Sequence, residues 1–212
     1  MFGLLTGSAD GHDLINRALI WLPLAVVSLS LHEFGHAATA YAFGDQTPKS
    51  DGRITLNPFA HLDFFGTLMM LLGPIGWAKP VRIDPSAMRG GRFAELVVSF
   101  AGPAMNLLLA LLAAAGLKYL SFTGEYAGAN DVLQVLFFLN IGLAVFNLLP
   151  IPPLDGGHIW PAILPRSLHP AYYHFLPYGM ILLIVLVMWP GANSGLSQLV
   201  YTVARFIFGL LP

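Results

Sequence analysis

Two histidines and a glutamate lie close together in one apolar stretch, within the segment His32-Glu33-Phe34-Gly35-His36. Four residues along an α-helix rotate by about 40° beyond one full turn and rise about 6 Å, so both imidazoles leave the same face of the helix. They can then bind one metal ion, and Glu33 lies beside the water that attacks. This spacing is typical of zinc hydrolases in which the glutamate is the general base.

The surroundings of this motif support a functional role. An ionisable side chain near the centre of a membrane-spanning helix costs roughly 2.5 to 3.5 kcal/mol on insertion scales. The alternative is that His32 and His36 only hydrogen-bond carbonyl groups of neighbouring helices. We favour a metal site, because three ionisable residues within five positions of an apolar helix are hard to explain without a functional role.

A catalytic zinc ion needs a third protein ligand, and the chain has no cysteine to supply one. Asp155 is the strongest candidate, in the sequence NLLPIPPLDGGH of residues 147–158. Its prolines and glycines end an apolar helix and leave irregular backbone around a carboxylate, which is tolerated at membrane depth only inside protein or beside a wet cavity. The alternative is an ordinary loop with an exposed aspartate.

A third polar cluster lies at residues 99–106, in the sequence SFAGPAMN. Small residues let helices approach closely in lipid, and a proline frees a backbone carbonyl. The amide of Asn106 then either contacts a substrate backbone or oxyanion, or serves helix packing. The sequence leaves both roles open.

Composition places these motifs in a membrane. The chain has 212 residues, of which 56% are hydrophobic and 10% charged, and a mean hydropathy of +0.70, whereas a soluble domain is roughly a quarter charged. Ten basic residues against eleven acidic ones leave a net charge of -1. There is no basic surplus for a phosphate backbone, so the expected environment is the lipid bilayer and no nucleic-acid partner is expected.

Hydropathy and length predict an all-α polytopic membrane protein of about four to six transmembrane helices, in a single domain of residues 1–212. The N-terminus lacks the basic start of a signal peptide, so we expect no cleaved targeting segment. A short strand is expected at residues 53–56, between the first two motif-bearing helices, as a candidate edge for substrate. Residues 196–211, which are short and contain Arg205, are expected at the membrane interface. The predicted spans are residues 14–43, 93–117, 132–151 and 173–189.

Residues 64–77 decide the topology. Fourteen mostly apolar residues interrupted by Gly66, Gly73 and Pro74 suit a re-entrant segment better than a full span. A dip places six flanking basic residues on one face, which the positive-inside tendency assigns to the cytoplasm. It also brings both candidate metal motifs to the same side of the membrane. The six are Lys49, Arg53, Lys79, Arg82, Arg89 and Arg92.

Together the motifs resemble the site-2 protease family of intramembrane zinc metalloproteases. Residues 32–36 look like the family's zinc motif, residues 147–156 like its second motif, and residues 102–106 like its central-helix motif. The short segments 57–58 and 76–81 look like further family segments, and the likeness runs over about residues 14–158. No PDZ or CBS domain is recognisable, so the resemblance is to a minimal form.

This resemblance implies an endopeptidase that cleaves peptide bonds in or next to transmembrane segments of substrate proteins, in regulated intramembrane proteolysis. It implies one zinc ion per chain bound by His32, His36 and Asp155, with Glu33 as the general base and Asn106 engaging the substrate. It further implies a multi-pass protein of a prokaryotic cell membrane, with the active site toward the cytoplasmic side. The sequence carries no signal for an oligomeric state.

Two other functions fit parts of this pattern. One is a membrane zinc carrier or sensor, and the other is a catalytically silent scaffold that binds partner helices. Glu33 weighs against the carrier, because transport has no requirement for a general base. All proposed catalytic groups are present in the sequence, which weighs against the scaffold.

Overall fold

The computed structural model describes residues 17–72, 76–123 and 127–211. Within these ranges, four helical stretches are long and apolar enough to cross a membrane by length and composition, as predicted for an all-α polytopic membrane protein. Each overlaps one of the predicted spans, of which residues 14–16 lie outside the described part. The four stretches are Leu19–Ala42, Arg92–Thr123, Gly128–Asn147 and Arg166–Met188.

The helices follow one another along the chain with short connections. A π-helical turn at Arg17–Trp21 leads into helix α1, Leu22–Ala42. The later helices are α2 (Thr47–Ser50), α3 (Phe64–Leu72), α4 (Arg92–Thr123), α5 (Ala127–Asn147), α6 (Gly156–Ile163), α7 (His169–Phe175), α8 (Gly179–Met188) and α9 (Pro190–Gly209). Short 3-10 turns lie at Pro58–Ala60, Pro85–Ala87, Arg166–Leu168 and Leu176–Tyr178.

Helix α4 is the centre of the bundle, with its most extensive contacts to α5 and α1. Buried alanines on α4 let larger side chains of α5 and α9 approach its backbone, as is usual between helices in lipid. The buried residues of this cluster include Ala110, Ala113, Ala114, Phe137, Ile141, Val200 and Ala204. Helix α9 thus packs one face against the helix bundle, and the interfacial position expected for residues 196–211 stays a prediction.

The segment of residues 64–77 turns back on itself, as the re-entrant prediction requires. Helix α3 has nine residues, about 13 Å of helix, too short to cross a bilayer. Beyond it, Ala78 pairs with Leu62 in an antiparallel bridge, and the Lys79 N–H donates to the His61 carbonyl at 2.8 Å. The two ends of the segment therefore lie side by side. Residues 73–75, and with them Gly73 and Pro74, lie outside the described residues.

The expectation of a strand at residues 53–56 is wrong, because these residues form bends. The Arg53 side chain is buried, and its Nη1 donates to the Ala60 carbonyl at 2.5 Å. This contact folds the segment back over the turn at Pro58–Ala60. Among the described residues, β pairing is confined to the bridge between Leu62 and Ala78.

Asp45 ties the connection between α3 and α4 to the end of α1. Its buried carboxylate accepts hydrogen bonds from the N–H groups of Thr47 and Asp84, each at 2.8 Å. Burial alone would raise the pKa of Asp45, but the hydrogen bonds from Thr47 and Asp84 outweigh it and lower the pKa. The carboxylate thereby holds the loop that passes over the functional motif of α1.

Candidate metal centre

His32 and His36 lie one turn apart on α1, and both side chains are buried. Their Nε2 atoms are 3.1 Å apart. His32 lies near the middle of α1, which spans Leu22–Ala42. The spacing seen in the sequence thus produces two converging imidazoles on the face of α1 that packs against α4.

Asp155 immediately precedes α6 and reaches the same point. Its Oδ2 lies 3.2 Å from His32 Nε2, and its Oδ1 lies 3.2 Å from His36 Nε2. The structure therefore brings together the three residues that the sequence nominated as metal ligands. Within the described part of the chain, they are the group of histidine and acidic residues whose geometry suits a metal ion.

Contacts on both sides of Asp155 fix its position. The Trp160 indole N–H donates to the Leu148 carbonyl at 2.8 Å, and the Tyr172 hydroxyl donates to the Gly157 carbonyl at 2.9 Å. Ile151 and Leu154 pack with Leu183 of α8 in a buried cluster. These contacts hold the loop after α5 closed, so that the carboxylate points at α1.

Hydrogen bonds determine which nitrogen of His36 carries the proton. His36 Nδ1 lies 2.7 Å from the Val98 carbonyl oxygen, which can only accept, so Nδ1 carries a proton. Nε2 is then the nitrogen available to a metal ion, and it faces His32 Nε2 and the Asp155 carboxylate. Asp155 Oδ2 is buried without a hydrogen-bond donor. Such a convergence of electron-pair donors is suited to a cation.

The geometry fits zinc in particular. Ligand bonds of about 2.0 to 2.1 Å in a tetrahedral zinc site place neighbouring donor atoms about 3.3 Å apart. The observed donor separations are 3.1, 3.2 and 3.2 Å. Two nitrogens and one carboxylate oxygen are also a donor set that zinc accepts, with a fourth position left for water or substrate.

Two glycines allow α1 and α4 to meet at this centre. A Cβ at Gly102 would lie 2.3 Å from His36 Nε2 and 2.6 Å from His32 Nε2. A Cβ at Gly35 would lie 2.8 Å from the Ala101 carbonyl oxygen. Any side chain at Gly102 would therefore occupy the space that both imidazoles need, which accounts for the small residues in the central motif.

Glu33 follows His32 on α1 and is held by a hydrogen bond from another segment of the chain. Its Oε2 accepts a hydrogen bond from the Val81 N–H at 3.0 Å, and the side chain is half-buried. Val81 belongs to the connection that follows the re-entrant segment. That connection therefore orients the predicted general base, a contact that sequence reasoning did not foresee.

Asn106 lies behind His32, with its carbonyl oxygen 2.7 Å from His32 Nδ1. Its amide nitrogen donates to Asn140 Oδ1 at 2.9 Å and to the Ser28 carbonyl at 3.3 Å. The Asn106 side chain is fully buried. Its described contacts are those of a residue that orients a metal ligand, here His32, as is common around metal sites. Engagement of substrate by Asn106 stays a prediction.

Asn140 is the functional candidate that sequence reasoning missed. It is fully buried in α5, and its amide donates to Ser28 Oγ and to the Leu136 carbonyl, each at 2.9 Å. It thereby connects α1, α4 and α5 behind His32. The signal was present in the sequence, because a lone amide in an apolar helix must find polar partners inside the bundle.

Two other histidines are not among the metal donors. His158 is exposed in α6. His61 is fully buried, with its Nε2 3.1 Å from the Thr55 carbonyl.

Comparison with known proteins identifies the family. The sequence model of peptidase family M50 matches residues 21–190, which is most of the chain. The chain belongs to peptidase family M50. The resemblance to site-2 proteases is thereby confirmed.

Curated relatives carry names consistent with M50 membership. The chain is 38% identical over 186 residues to "Putative zinc metalloprotease YwhC" of Bacillus subtilis (strain 168), covering 80% of this chain and 84% of the relative. It is 37% identical over 186 residues to "Putative zinc metalloprotease Rip2" of Mycolicibacterium smegmatis, covering 83% and 69%. It is 28% identical over 160 residues to "Zinc metalloprotease MJ0392" of Methanocaldococcus jannaschii, covering 74% and 39%. No solved structure matches the chain.

M50 membership, these relatives and the four apolar helices show a zinc metalloprotease of the membrane. Zinc is therefore its metal, in agreement with the donor set at His32, His36 and Asp155.

Proposed function

We propose that this M50 member is an intramembrane protease that hydrolyses peptide bonds in or next to transmembrane segments of other proteins. Its zinc ligands would be His32, His36 and Asp155, and its general base Glu33. The observation that carries the proposal is the meeting of these three donors, 3.1 to 3.2 Å apart, near the middle of a helix that is apolar enough to span a bilayer. A protease with its donors at that depth acts on segments that share the bilayer.

The chemistry divides between metal and protein. A zinc ion bound by these residues supplies Lewis-acid activation of water and of the scissile carbonyl. Glu33 removes a proton from the attacking water and delivers it to the leaving amine. The Val81 N–H donates to Oε2 of Glu33 and thereby orients the carboxylate that carries the proton. His32 and His36 hold their Nδ1 protons toward Asn106 and Val98, which leaves each Nε2 to bind the metal.

Charge distribution supports the cytoplasmic side for the end of the molecule near Asp45 and Arg92. Six of the ten Lys and Arg residues lie between positions 49 and 92, in the connection from α1 to α4 and at its end. Short loops rich in Lys and Arg stay on the cytoplasmic side. The relatives are bacterial and archaeal, which supports a prokaryotic cell membrane as the location.

The general base is tested by replacing Glu33 with glutamine. We expect E33Q to retain one zinc per chain, measured by plasma mass spectrometry on protein in detergent, and to lose cleavage of a fluorescent transmembrane peptide in liposomes. Loss of a general base lowers turnover by roughly 10²- to 10⁴-fold. Glu95→Gln is the matched control, because Glu95 is exposed in the first turn of α4.

The outcomes separate the candidate functions. Equal cleavage by wild type and E33Q would contradict the role of Glu33. Zinc binding with no cleavage of any transmembrane peptide by wild type would favour a carrier, a sensor or a scaffold.

A further inference from the structure

A charged cavity lies in the connection between α1 and α4, and none of the metal donors lines it. It has a volume of about 380 Å³ and is lined by Asp51, Arg53, Lys79, Pro80 and Arg82. Three cationic side chains thus face one carboxylate. The cavity is therefore electropositive and suited to an anion.

The one carboxylate is already engaged. Asp51 accepts hydrogen bonds from Nε and Nη2 of Arg82, at 2.8 and 2.5 Å. This guanidinium lowers the pKa of the Asp51 carboxyl, so Asp51 is ionised at neutral pH. Arg53 and Lys79 are left with the unbalanced charge of the cavity.

Arg53 is buried, so its positive charge is only weakly screened by water. Its residue surface is only 6% exposed, and its Nη1 donates to the carbonyl oxygens of Ala60 and Lys79. Within residues 17–72, 76–123 and 127–211, no carboxylate lies at ion-pairing distance from Arg53 or Lys79. The nearby Asp51 carboxylate, already paired with Arg82, offsets the charges of Arg53 and Lys79 only in part. Incompletely balanced buried charge is costly, and an anion in the cavity would reduce that cost.

The surroundings of the cavity indicate where the anion comes from. The turn at Pro58–Ala60, whose Ala60 carbonyl accepts a hydrogen bond from Arg53, exposes the phenyl ring of Phe59. Neighbouring positions in the sequence expose further large apolar side chains. Exposed apolar side chains beside a basic cavity are typical of a membrane interface, where phospholipid headgroups lie. The exposed set is Leu56, Phe59, Phe64 and Phe65, at 64%, 78%, 77% and 66% exposure.

We propose that this cavity binds the phosphate group of an anionic phospholipid headgroup. Arg53 and Lys79 donate charge-assisted hydrogen bonds to the phosphate oxygens. The apolar side chains at residues 56–65 contact the acyl chains of the same lipid layer. The cavity is within the size range of sites for small organic groups, so a phosphoglycerol headgroup fits it.

The cavity shares backbone with the contact that holds Glu33. Pro80 and Arg82 line the cavity on either side of Val81, and the Val81 N–H donates to Glu33 Oε2. A bound headgroup would fix this segment of backbone and with it the Glu33 carboxylate. This consequence rests on the proposed function, whereas the binding of lipid does not.

Binding is tested without proteolysis, on zinc-loaded full-length chain in a neutral detergent. Calorimetric titration with dihexanoylphosphatidylglycerol is compared with dihexanoylphosphatidylcholine and with inorganic phosphate. We expect the anionic lipid to bind more tightly than either. Lys79→Gln should weaken its binding about fivefold, the contribution of one basic residue near anionic lipid.

Two further variants control for charge and folding. Lys49→Gln removes the same charge from an exposed side chain outside the cavity and should change binding less than twofold. Asp51→Asn removes the carboxylate of the cavity and should tighten binding. Equal binding of the two lipids, equal effects of K79Q and K49Q, or phosphate binding as tight as the anionic lipid would each overturn the proposal.

Failure here is distinguishable from failure of the proposed function. Lipid binding is measured on a protein that has no substrate present. The test of protease activity uses E33Q, and this substitution leaves the lining of the cavity unchanged. A headgroup site can therefore be established or rejected whatever the protein cleaves.

Discussion

The side-chain oxygen of Asn106 lies 2.7 Å from Nδ1 of His32, and both side chains are buried. This contact turns His32 Nε2 toward Asp155 and keeps the Nδ1 proton away from the metal position. A residue on the central helix therefore sets the orientation of a ligand on α1. Contacts of this kind fix the tautomer and the ring orientation of a metal-binding histidine.

Asn106→Ala should lower zinc affinity by roughly 10- to 100-fold, because His32 loses the acceptor that orients it. Zinc retention against a chelator of known affinity measures the effect. Asn130→Ala, on α5 and outside the metal centre, is the control. Unchanged zinc affinity together with lost cleavage would instead favour a contact between Asn106 and substrate.

Asn106 and Asn140 should act as a coupled pair, since the amide of one donates to the other at 2.9 Å. We expect the two alanine variants and the double variant to show a coupling of about 0.6 to 1.7 kcal/mol in the free energy of unfolding, the range for hydrogen bonds between helices in lipid. Denaturant unfolding in detergent provides the four values. Strict additivity would show that the network is not cooperative.

Gly102→Ala should abolish zinc binding while the helices still form. The added methyl group would lie 2.3 Å from His36 Nε2 and 2.6 Å from His32 Nε2, so the imidazoles must move apart. Zinc content and far-ultraviolet circular dichroism distinguish the two effects. Gly142→Ala, where a Cβ meets nothing within 4 Å, should behave as wild type, and stoichiometric zinc in G102A would contradict the geometry.

Asp45 should contribute stability that depends on pH. Its pKa is lowered in the folded protein, relative to about 3.9 in an unfolded chain. A depressed pKa stabilises the fold above the unfolded value, and this contribution is lost as pH falls through the folded value. We therefore expect Asp45→Asn to melt below wild type at pH 5 to 8.

The difference in melting temperature between wild type and D45N should shrink below about pH 4, where the carboxylate becomes protonated. Acid effects on the metal centre are common to both proteins and cancel in the comparison. Asp131→Asn, at an exposed position of α5, is the control. A difference that stays constant down to pH 2 would contradict the role of the Asp45 carboxylate.

One sequence prediction failed for an identifiable reason. Residues 53–56 have the composition of a short strand, but the buried Arg53 side chain bonds to the Ala60 carbonyl and bends the segment. A tertiary contact there outweighed the local pattern. The interfacial position expected for residues 196–211 stays a prediction, and the buried Val200 and Ala204 show that one face of α9 packs against the bundle.

The sequence by itself determined what short-range physics governs. Helix periodicity places His32 and His36 on one face, hydropathy marks the spans, and the length of residues 64–77 requires a dip. Only the tertiary structure decided what depends on packing between distant segments. The approach of Asp155 to the histidines, the Val81 contact to Glu33 and the Asn106–Asn140 network all join segments that are far apart in the sequence. Such contacts depend on side-chain volumes and backbone separations across the bundle, which no local pattern in a single sequence specifies.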